Sequence, residues 1–192
     1  MAKAEWARLS CDRNDRTTLG RGQASVRLGG VVIYGPSAQV LRTGLDQLAE
    51  TVVAVLATFP TVDRRMLQTQ ARVRLDASDI ERRLLGAVLG WQARLGRIDC
   101  IPCAAINDKV FRIYVSEEQA GTFESRLDAV TEMLKKKAVL SVAEVRDSFW
   151  GTGWGMWSAA SHLLARLAQK GQACYVDRFS FRRPNGLDNA VR

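Results

Sequence analysis

The last third of the chain, residues 141–183, restricts the fold more than any other stretch. Residues 141–149 have the apolar spacing of a short helix, and the glycines and tryptophans at 150–155 are a turn signal. Residues 156–170 carry an apolar stripe at helical spacing, and Gly171 is a natural helix stop. Residues 172–183 alternate as two short strands with a basic tip. This order predicts two helices joined by a turn and followed by a β-hairpin.

A similar order of elements is predicted upstream, in residues 37–116. The predicted helices span 37–58, 62–73 and 79–95, and the predicted strands span 98–106 and 110–115. Ser37 and Ser78 are suitable N-caps for the first and third helices, and Gly96 stops the third. Asn107 and Asp108 form a turn signal between the strands. Residues 37–116 therefore predict three helices and a hairpin.

The second copy begins after a predicted linker at residues 116–118. Thr122 is a suitable cap for a helix over 123–137, which adds a third helix to those of residues 141–183. Both copies then have a glycine where the last helix runs into the hairpin. Gln92 stands four residues before Gly96, at the position where the second copy has Leu167 before Gly171. The register of the last helix of the first copy, residues 79–95, is therefore left open by about one turn.

The two ends of the chain lack a helical pattern. Residues 1–23 are polar, basic and poorly periodic, and they are predicted to form a loop or arm. Four arginines of this arm are candidates for reaching along a phosphate backbone: Arg8, Arg13, Arg16 and Arg21. Residues 24–34 predict a strand or a hairpin around Gly29 and Gly30, whereas residues 184–192 predict a flexible tail.

The end of the last helix resembles a known superfamily. The spacing of Leu164, Leu167, Gly171 and Ala173 is similar to that of a winged helix-turn-helix recognition helix running into its wing. The resemblance implies an α+β, mostly helical protein with two winged-helix domains in tandem, each of three helices plus a β-hairpin wing. The implied division is 1–36 as a basic N-terminal arm with a short strand or hairpin, 37–116 as domain 1, 117–183 as domain 2 and 184–192 as a flexible tail.

The resemblance also implies which residues contact DNA. The recognition helices enter major grooves, and basic residues of the wings contact phosphates. In the first domain the implied DNA-binding residues are Arg82, Arg83 and Arg94 on the helix, with Lys109 and Arg112 on the wing. In the second domain they are Ser158, Ser161, His162 and Arg166 on the helix, with Arg178, Arg182 and Arg183 on the wing.

Composition favours the same class of partner. The formal net charge is +8 and the isoelectric point is about 9.8, which favours nucleic acid and, after it, an acidic membrane surface. No signal peptide or sufficiently long apolar run is evident, so we expect a cytoplasmic, nucleoid-associated protein with no membrane partner.

The predicted function is binding of double-stranded DNA, as a transcriptional regulator or as a plasmid or phage replication or partition factor. A homo-oligomer or a larger nucleoprotein complex is left open. We predict no enzymatic activity, no cofactor and no metal. Two alternatives are a tandem winged-helix accessory subunit of a chromosome-condensing complex, which tends to be acidic, and a basic subunit of a larger ribonucleoprotein.

Three further signals compete with this interpretation. Cys100 and Cys103 form a CxxC motif, which could be half of a zinc site with Cys11 and either Cys174 or His162 as the other ligands. A zinc ribbon needs a second close pair and there is none, so buried or idle free thiols are expected. His162 is the only histidine, and we expect it at the surface or facing DNA. The tryptophans around the 150–155 turn suit either a base-stacking platform or core filling beside a tight turn.

Overall fold

The computed structural model describes residues 4–11, 23–77, 79–151 and 156–184. These residues form an α+β fold with six α-helices and three small antiparallel sheets of three strands each. The predicted α+β class is therefore confirmed. Four predicted features lie wholly or partly outside the described residues: most of the N-terminal arm, the cap Ser78, part of the 150–155 turn, and the tail beyond Pro184.

One order of elements occurs twice along the described chain. The first set is α1 (Ala38–Thr58), β4 (Val62–Asp63), α2 (Arg64–Arg74), α3 (Arg82–Arg94), β5 (Ile98–Ala104) and β6 (Val110–Ser116). The second set is α4 (Glu117–Lys136), β7 (Leu140–Ser141), α5 (Val142–Trp150), α6 (Trp157–Gln169), β8 (Cys174–Tyr175) and β9 (Ser180–Arg182). The strand orders are β4–β6–β5 and β7–β9–β8, so in each sheet the last strand lies in the middle. The short strands β4 and β7 were not predicted.

The N-terminal segment contains more structure than the predicted loop or arm. It contributes a 3-10 helix (Glu5–Arg8) and the strands β1 (Ser10–Cys11), β2 (Ala24–Leu28) and β3 (Val31–Gly35), in the sheet order β1–β3–β2. Trp6 anchors the start of this segment because its side chain is buried. The predicted hairpin is confirmed, since β2 and β3 pair directly around Gly29 and Gly30, both of which have positive φ.

All three sheets share one cross-strand register. Their short first strands pair Ser10 with Tyr34, Val62 with Tyr114, and Leu140 with Phe181. In each sheet an aromatic residue of the middle strand therefore pairs with the first residue of the short strand. Aromatic side chains contribute large apolar area at half-buried sheet positions, which accounts for the recurrence physically.

The ends of α3 and α6 are built alike. The amide of Gly96 donates to the carbonyl of Ala93 and that of Arg97 to the carbonyl of Gln92. The amides of Gly171 and Gln172 donate in the same way to Ala168 and Leu167, and both glycines have φ near +70°. Gln92 and Leu167 are therefore equivalent, and the one-turn difference left open by the sequence is absent.

Three helix starts differ from the prediction. The helix predicted from residue 62 begins at Arg64 as α2, because Val62 and Asp63 are paired in a sheet. The helix predicted from residue 79 begins at Arg82 as α3. The predicted linker at 116–118 is wrong, since Ser116 is the N-cap of α4 and two glutamates occupy the first turn, where they suit the helix dipole.

The chain divides into two compact units, Met1–Ala57 with Arg65–Ile98, and Thr58–Arg64 with Asp99–Arg192. In the first unit α3 contacts all three strands of the N-terminal sheet. In the second unit α4, α5 and α6 pack together over a core that includes Phe123, Leu163 and Phe181. These units cut across the predicted domains, and the predicted division stays a prediction.

Candidate nucleic-acid interface

Arginines gather in one cleft of the first unit, which we call the arginine cleft. Its volume is about 720 Å³, and it is lined by Arg65, Gln68, Thr69 and Arg72 of α2 and by Asp79, Glu81, Arg82 and Arg83 at the start of α3. The α2 residues recur at the spacing of one helix face. Leu67 and Ala71 on the other face are buried, so packing of the apolar face turns the arginine face toward the cleft.

The cleft has a net positive formal charge, because four arginines line it with only two carboxylates. Each carboxylate accepts a backbone hydrogen bond nearby: Glu81 Oε2 from the amide of Cys11 at 3.2 Å, and Asp79 Oδ1 from the amide of Ile80 at 2.9 Å. The side chain of Gln68 donates to the carbonyl of Ile80 at 2.9 Å and so ties α2 to the segment before α3. The two walls of the cleft are therefore held together.

The N-terminus of α3 adds to this positive field. Among the residues that the structure describes, no side-chain hydrogen bond caps the helix at Glu81, and its first turn contains no acidic residue. The first amides of a helix point outward and carry the positive end of the helix dipole. Arg82 and Arg83 stand on this first turn and are exposed. Phosphate oxygens are the ligands that such an arrangement favours.

The other predicted residues of the first copy lie elsewhere. Arg94 is exposed at the far end of α3, about 18 Å along the helix from Arg82. It lies beside the β2–β3 turn, where a Cβ atom on Gly29 would be 3.8 Å from its guanidinium. Lys109 and Arg112 are exposed on the β5–β6 hairpin, which belongs to the second unit. The structure therefore brings Arg82 and Arg83 together but not Arg94 with them.

The prediction that His162 is at the surface or faces DNA is wrong. Only 6% of the side chain is exposed, and its Nδ1 atom lies 2.7 Å from the hydroxyl of Thr61, which is also buried. The Phe111 ring packs beside it, with ring centroids 6.0 Å apart. Burial lowers the pKa of His162 to about 4. The cause is that this face of α6 packs against the sheet of β4, β5 and β6.

Arg166 lies one turn further along the same covered face. Its guanidinium donates to the carbonyl of Pro102 at 3.1 Å and to the side chain of Gln169 at 2.7 Å. The Nε atom is buried and has no hydrogen-bond partner in the described part of the chain. Ser158 and Ser161 are half-buried on α6. Of the four predicted helix contacts, His162 is therefore enclosed in protein and Arg166 is hydrogen-bonded to β5.

The predicted basic residues of the β8–β9 hairpin are spread along it. Arg178 is exposed in the turn, with its guanidinium 5.3 Å from the centroid of the Phe179 ring. Arg182 and Arg183 are half-buried at the end of β9, beyond the fully buried Phe181. Arg178 is therefore the most accessible of the three.

Two arginines of the cleft and one buried partner were missed by reasoning from the sequence. Arg65 and Arg72 are seven residues apart, which places them on one face of a helix, and this spacing was a usable signal. Thr61 stands 101 residues before His162, and no local pattern connects the two. Of the arm arginines, Arg8 is exposed and forms an ion pair with Glu5, whereas the other three lie outside the described residues.

The thiols do not converge on a metal site within the described ranges. Cys100 is exposed and Cys103 is buried, with the Cys103 thiol 3.8 Å from the carbonyl of His162. Burial raises the pKa of Cys103 to about 12 and, together with Glu81, that of Cys11 to about 11. No group of three or more potential ligands from His, Cys, Asp and Glu occurs among the residues placed in the structure.

Among the residues that the structure describes, no helix is both long and apolar enough to cross a membrane. A scan of the sequence against models of known protein families finds no match. A search of curated proteins likewise finds no significant similarity.

Proposed function

We propose that the chain binds double-stranded DNA and that each repeated set of elements is a winged helix-turn-helix module. The arginine cleft is the observation that carries this proposal. It combines four guanidinium groups with an uncapped helix N-terminus on a single polar surface. The net charge of +8 supports an anionic partner of this kind.

The order of elements supports the assignment of modules. The winged-helix resemblance implies three helices followed by a β-hairpin wing in each module, and each set also has a short strand after its first helix. Both sets have this order, and in both the short strand pairs with the last strand of the hairpin. In such a module the turn between the second and third helices approaches the duplex. The arginine cleft is located at that turn in the first set.

The proposal assigns different parts to the two modules. In the first, Arg82 and Arg83 contact phosphates from the start of α3, and Arg65 and Arg72 contact phosphates from α2. Phosphate contacts set orientation, and arginine bonds to guanine edges read sequence. In the second, α6 is largely enclosed, so contacts are assigned to Ser158, Ser161 and Arg178 rather than to His162. Transcriptional regulation and plasmid or phage replication or partition are the roles we infer for such a protein.

The test is binding of a labelled random-sequence duplex over a salt series, measured by fluorescence anisotropy. We expect replacement of Arg82 and Arg83 by alanine to remove two phosphate-neutralising groups. Each such contact contributes about 0.9 to the slope of log K against log salt, so the slope should fall by about 1.8. At about 0.1 M salt the same loss weakens binding by roughly 60-fold.

The matched control replaces Arg27 and Arg42 with alanine. Both are exposed arginines of the first unit that do not line the arginine cleft, and the change in net charge is the same. Because salt screens distant charges, we expect only about a twofold to threefold loss. Equal losses in the two double variants would show that net charge, not the cleft, governs binding. Failure of the parent chain to bind duplex at any salt concentration would end the proposal.

A further inference from the structure

Two aromatic rings in the second unit contact each other, and each has an arginine beside it. Trp157 at the start of α6 meets Phe179 of the β8–β9 turn edge to face, with ring centroids 5.6 Å apart and an interplanar angle of 73°. The guanidinium of Arg146 lies 5.4 Å from the Trp157 ring, and that of Arg178 lies 5.3 Å from the Phe179 ring. We call these four residues the stacking cluster.

Phe179 is the exposed ring of the stacking cluster. Its side chain is 45% exposed, whereas Phe181, two residues later on the same hairpin, is fully buried and serves the core. Trp157 is half-buried beneath it. The core thus already has its aromatic residue from this hairpin, and Phe179 presents ring surface to solvent beside Trp157.

The backbone holds Phe179 from both sides. Its amide donates to the side chain of Asp177 at 2.7 Å, and its carbonyl accepts from the amide of Val142, the first residue of α5, at 2.8 Å. Arg146 is similarly held, because its guanidinium pairs with Asp147 at 2.6 Å. Because the backbone of Phe179 is held by these hydrogen bonds and its ring rests on Trp157, little conformational entropy is lost when a planar ligand stacks on the ring.

We propose that the stacking cluster binds an unpaired base of a DNA strand, an inference that rests on the proposed DNA-binding function. The base stacks on Phe179, and the guanidinium of Arg178 moves from the ring to the neighbouring phosphate. Aromatic rings accept any base, and flanking arginines neutralise the backbone. The cluster therefore recognises opened or single-stranded DNA, in addition to the duplex contacts assigned to the arginine cleft.

The arginine beside the exposed ring favours a nucleic-acid strand over an apolar peptide at this surface. Arg146 is ion-paired with Asp147 at 2.6 Å, so Arg178, which lies beside the Phe179 ring, is the cation that we assign to a phosphate. A nucleic-acid strand can contact both the rings and Arg178, whereas an apolar peptide can contact only the rings.

The experiment uses the full chain and three labelled ligands: a thymidine oligonucleotide, an abasic oligonucleotide of the same length, and a duplex. The two single strands carry the same charge, so their difference in affinity isolates the contribution of the bases. Phe179→Ala should weaken thymidine binding by about 5- to 150-fold, the range for loss of one stacked base. Binding of the abasic strand and the duplex should change by less than about twofold, because their phosphate contacts are untouched.

Two variants keep the test interpretable. Val176→Ala is the matched control, because Val176 is 50% exposed on the same hairpin and has no ring. It should leave all three affinities unchanged. Phe179→Leu retains apolar bulk and guards against loss of folding, and it should lose the base preference as alanine does. Phe179→Tyr should keep it.

Failure of this inference differs from failure of the DNA-binding proposal. If the parent chain binds duplex but shows no preference for bases over the abasic strand, the stacking cluster is not a base site. An unchanged preference in Phe179→Ala or Phe179→Leu would also exclude a base site and would favour a protein partner for this surface. If the parent chain binds none of the three ligands, both proposals fall together.

Discussion

Mild acid should destabilise the second unit through His162. This side chain is 6% exposed and is the only histidine of the chain. Burial lowers its pKa from 6.5 to about 4, and the nearby Asp63 only partly opposes this effect. The folded state therefore holds the ring neutral, whereas the unfolded chain takes up a proton near pH 6.5. The resulting stability is complete above pH 6.5 and is lost progressively as the pH falls toward 4.

The size of the effect follows from the two pKa values. A difference of about 2.5 pH units, at 1.36 kcal/mol each, corresponds to a total loss of about 3 kcal/mol. Between about pH 7.5 and pH 5 the loss should be about 2 kcal/mol, because the folded form is still largely neutral at pH 5. Since the chain has no second histidine, few other side chains titrate in this interval.

The assay is chemical denaturation followed by circular dichroism at a series of pH values. The double variant His162→Leu with Thr61→Val removes the titrating ring and its 2.7 Å partner together, so no buried polar atom of this pair is stranded. It should show little pH dependence in this interval. Thr61→Val alone should lower stability by about 1–3 kcal/mol at neutral pH while keeping the pH dependence.

Two results would refute the reasoning. Stability of the parent chain that stays constant between about pH 7.5 and pH 5 would mean that His162 is solvated in the folded state. The same loss in the parent and the double variant would assign the pH dependence to other groups.

Two predictions concern the ends of helices. Ser141 caps α5 in a reciprocal arrangement with Glu144, so Ser141→Ala should lower the free energy of unfolding by about 1 kcal/mol in chemical denaturation; an unchanged midpoint would argue against the cap. Gly171 ends α6 with a φ of +71°, so Gly171→Ala should lower the free energy of unfolding by about 1–2 kcal/mol. Gly90 lies inside α3, where no described atom crowds a new Cβ, so Gly90→Ala should raise the free energy of unfolding by about 0.5–1 kcal/mol. Similar effects of the two glycine changes would contradict the conformational explanation.

Local patterns predicted the elements well where one signal sufficed. Apolar periodicity and Ser37 predicted α1, and Ser37 Oγ does accept from the amide of Val40 at 3.2 Å. Gly96 and Gly171 end their helices with positive φ as expected, because few other residues adopt that conformation at low cost. The repeated order of helices and hairpins followed from these signals.

The helix starts were predicted wrongly for two reasons, a short strand pairing in one case and a polar first turn in the other. Val62 and Asp63 look like the first turn of a helix, but Val62 pairs instead with Tyr114, a strand residue far along the chain. The segment at 116–118 was interpreted as a linker because it is polar. It is instead the exposed first turn of α4, for which glutamates suit the dipole.

The candidate site shows the same division. The sequence alone determined the basic charge, the repeated order of helices and hairpins, and the placement of Arg82 and Arg83 near the start of a helix, since each depends on residue type or on spacing within a few turns. Only the tertiary structure decided that α2 and α3 form one cleft and that His162 faces Thr61 rather than solvent. The periodic pattern of α6 predicts one face that packs on a core. Its second buried face, which bears His162, is covered by segments far away in the chain, and no local spacing encodes that packing.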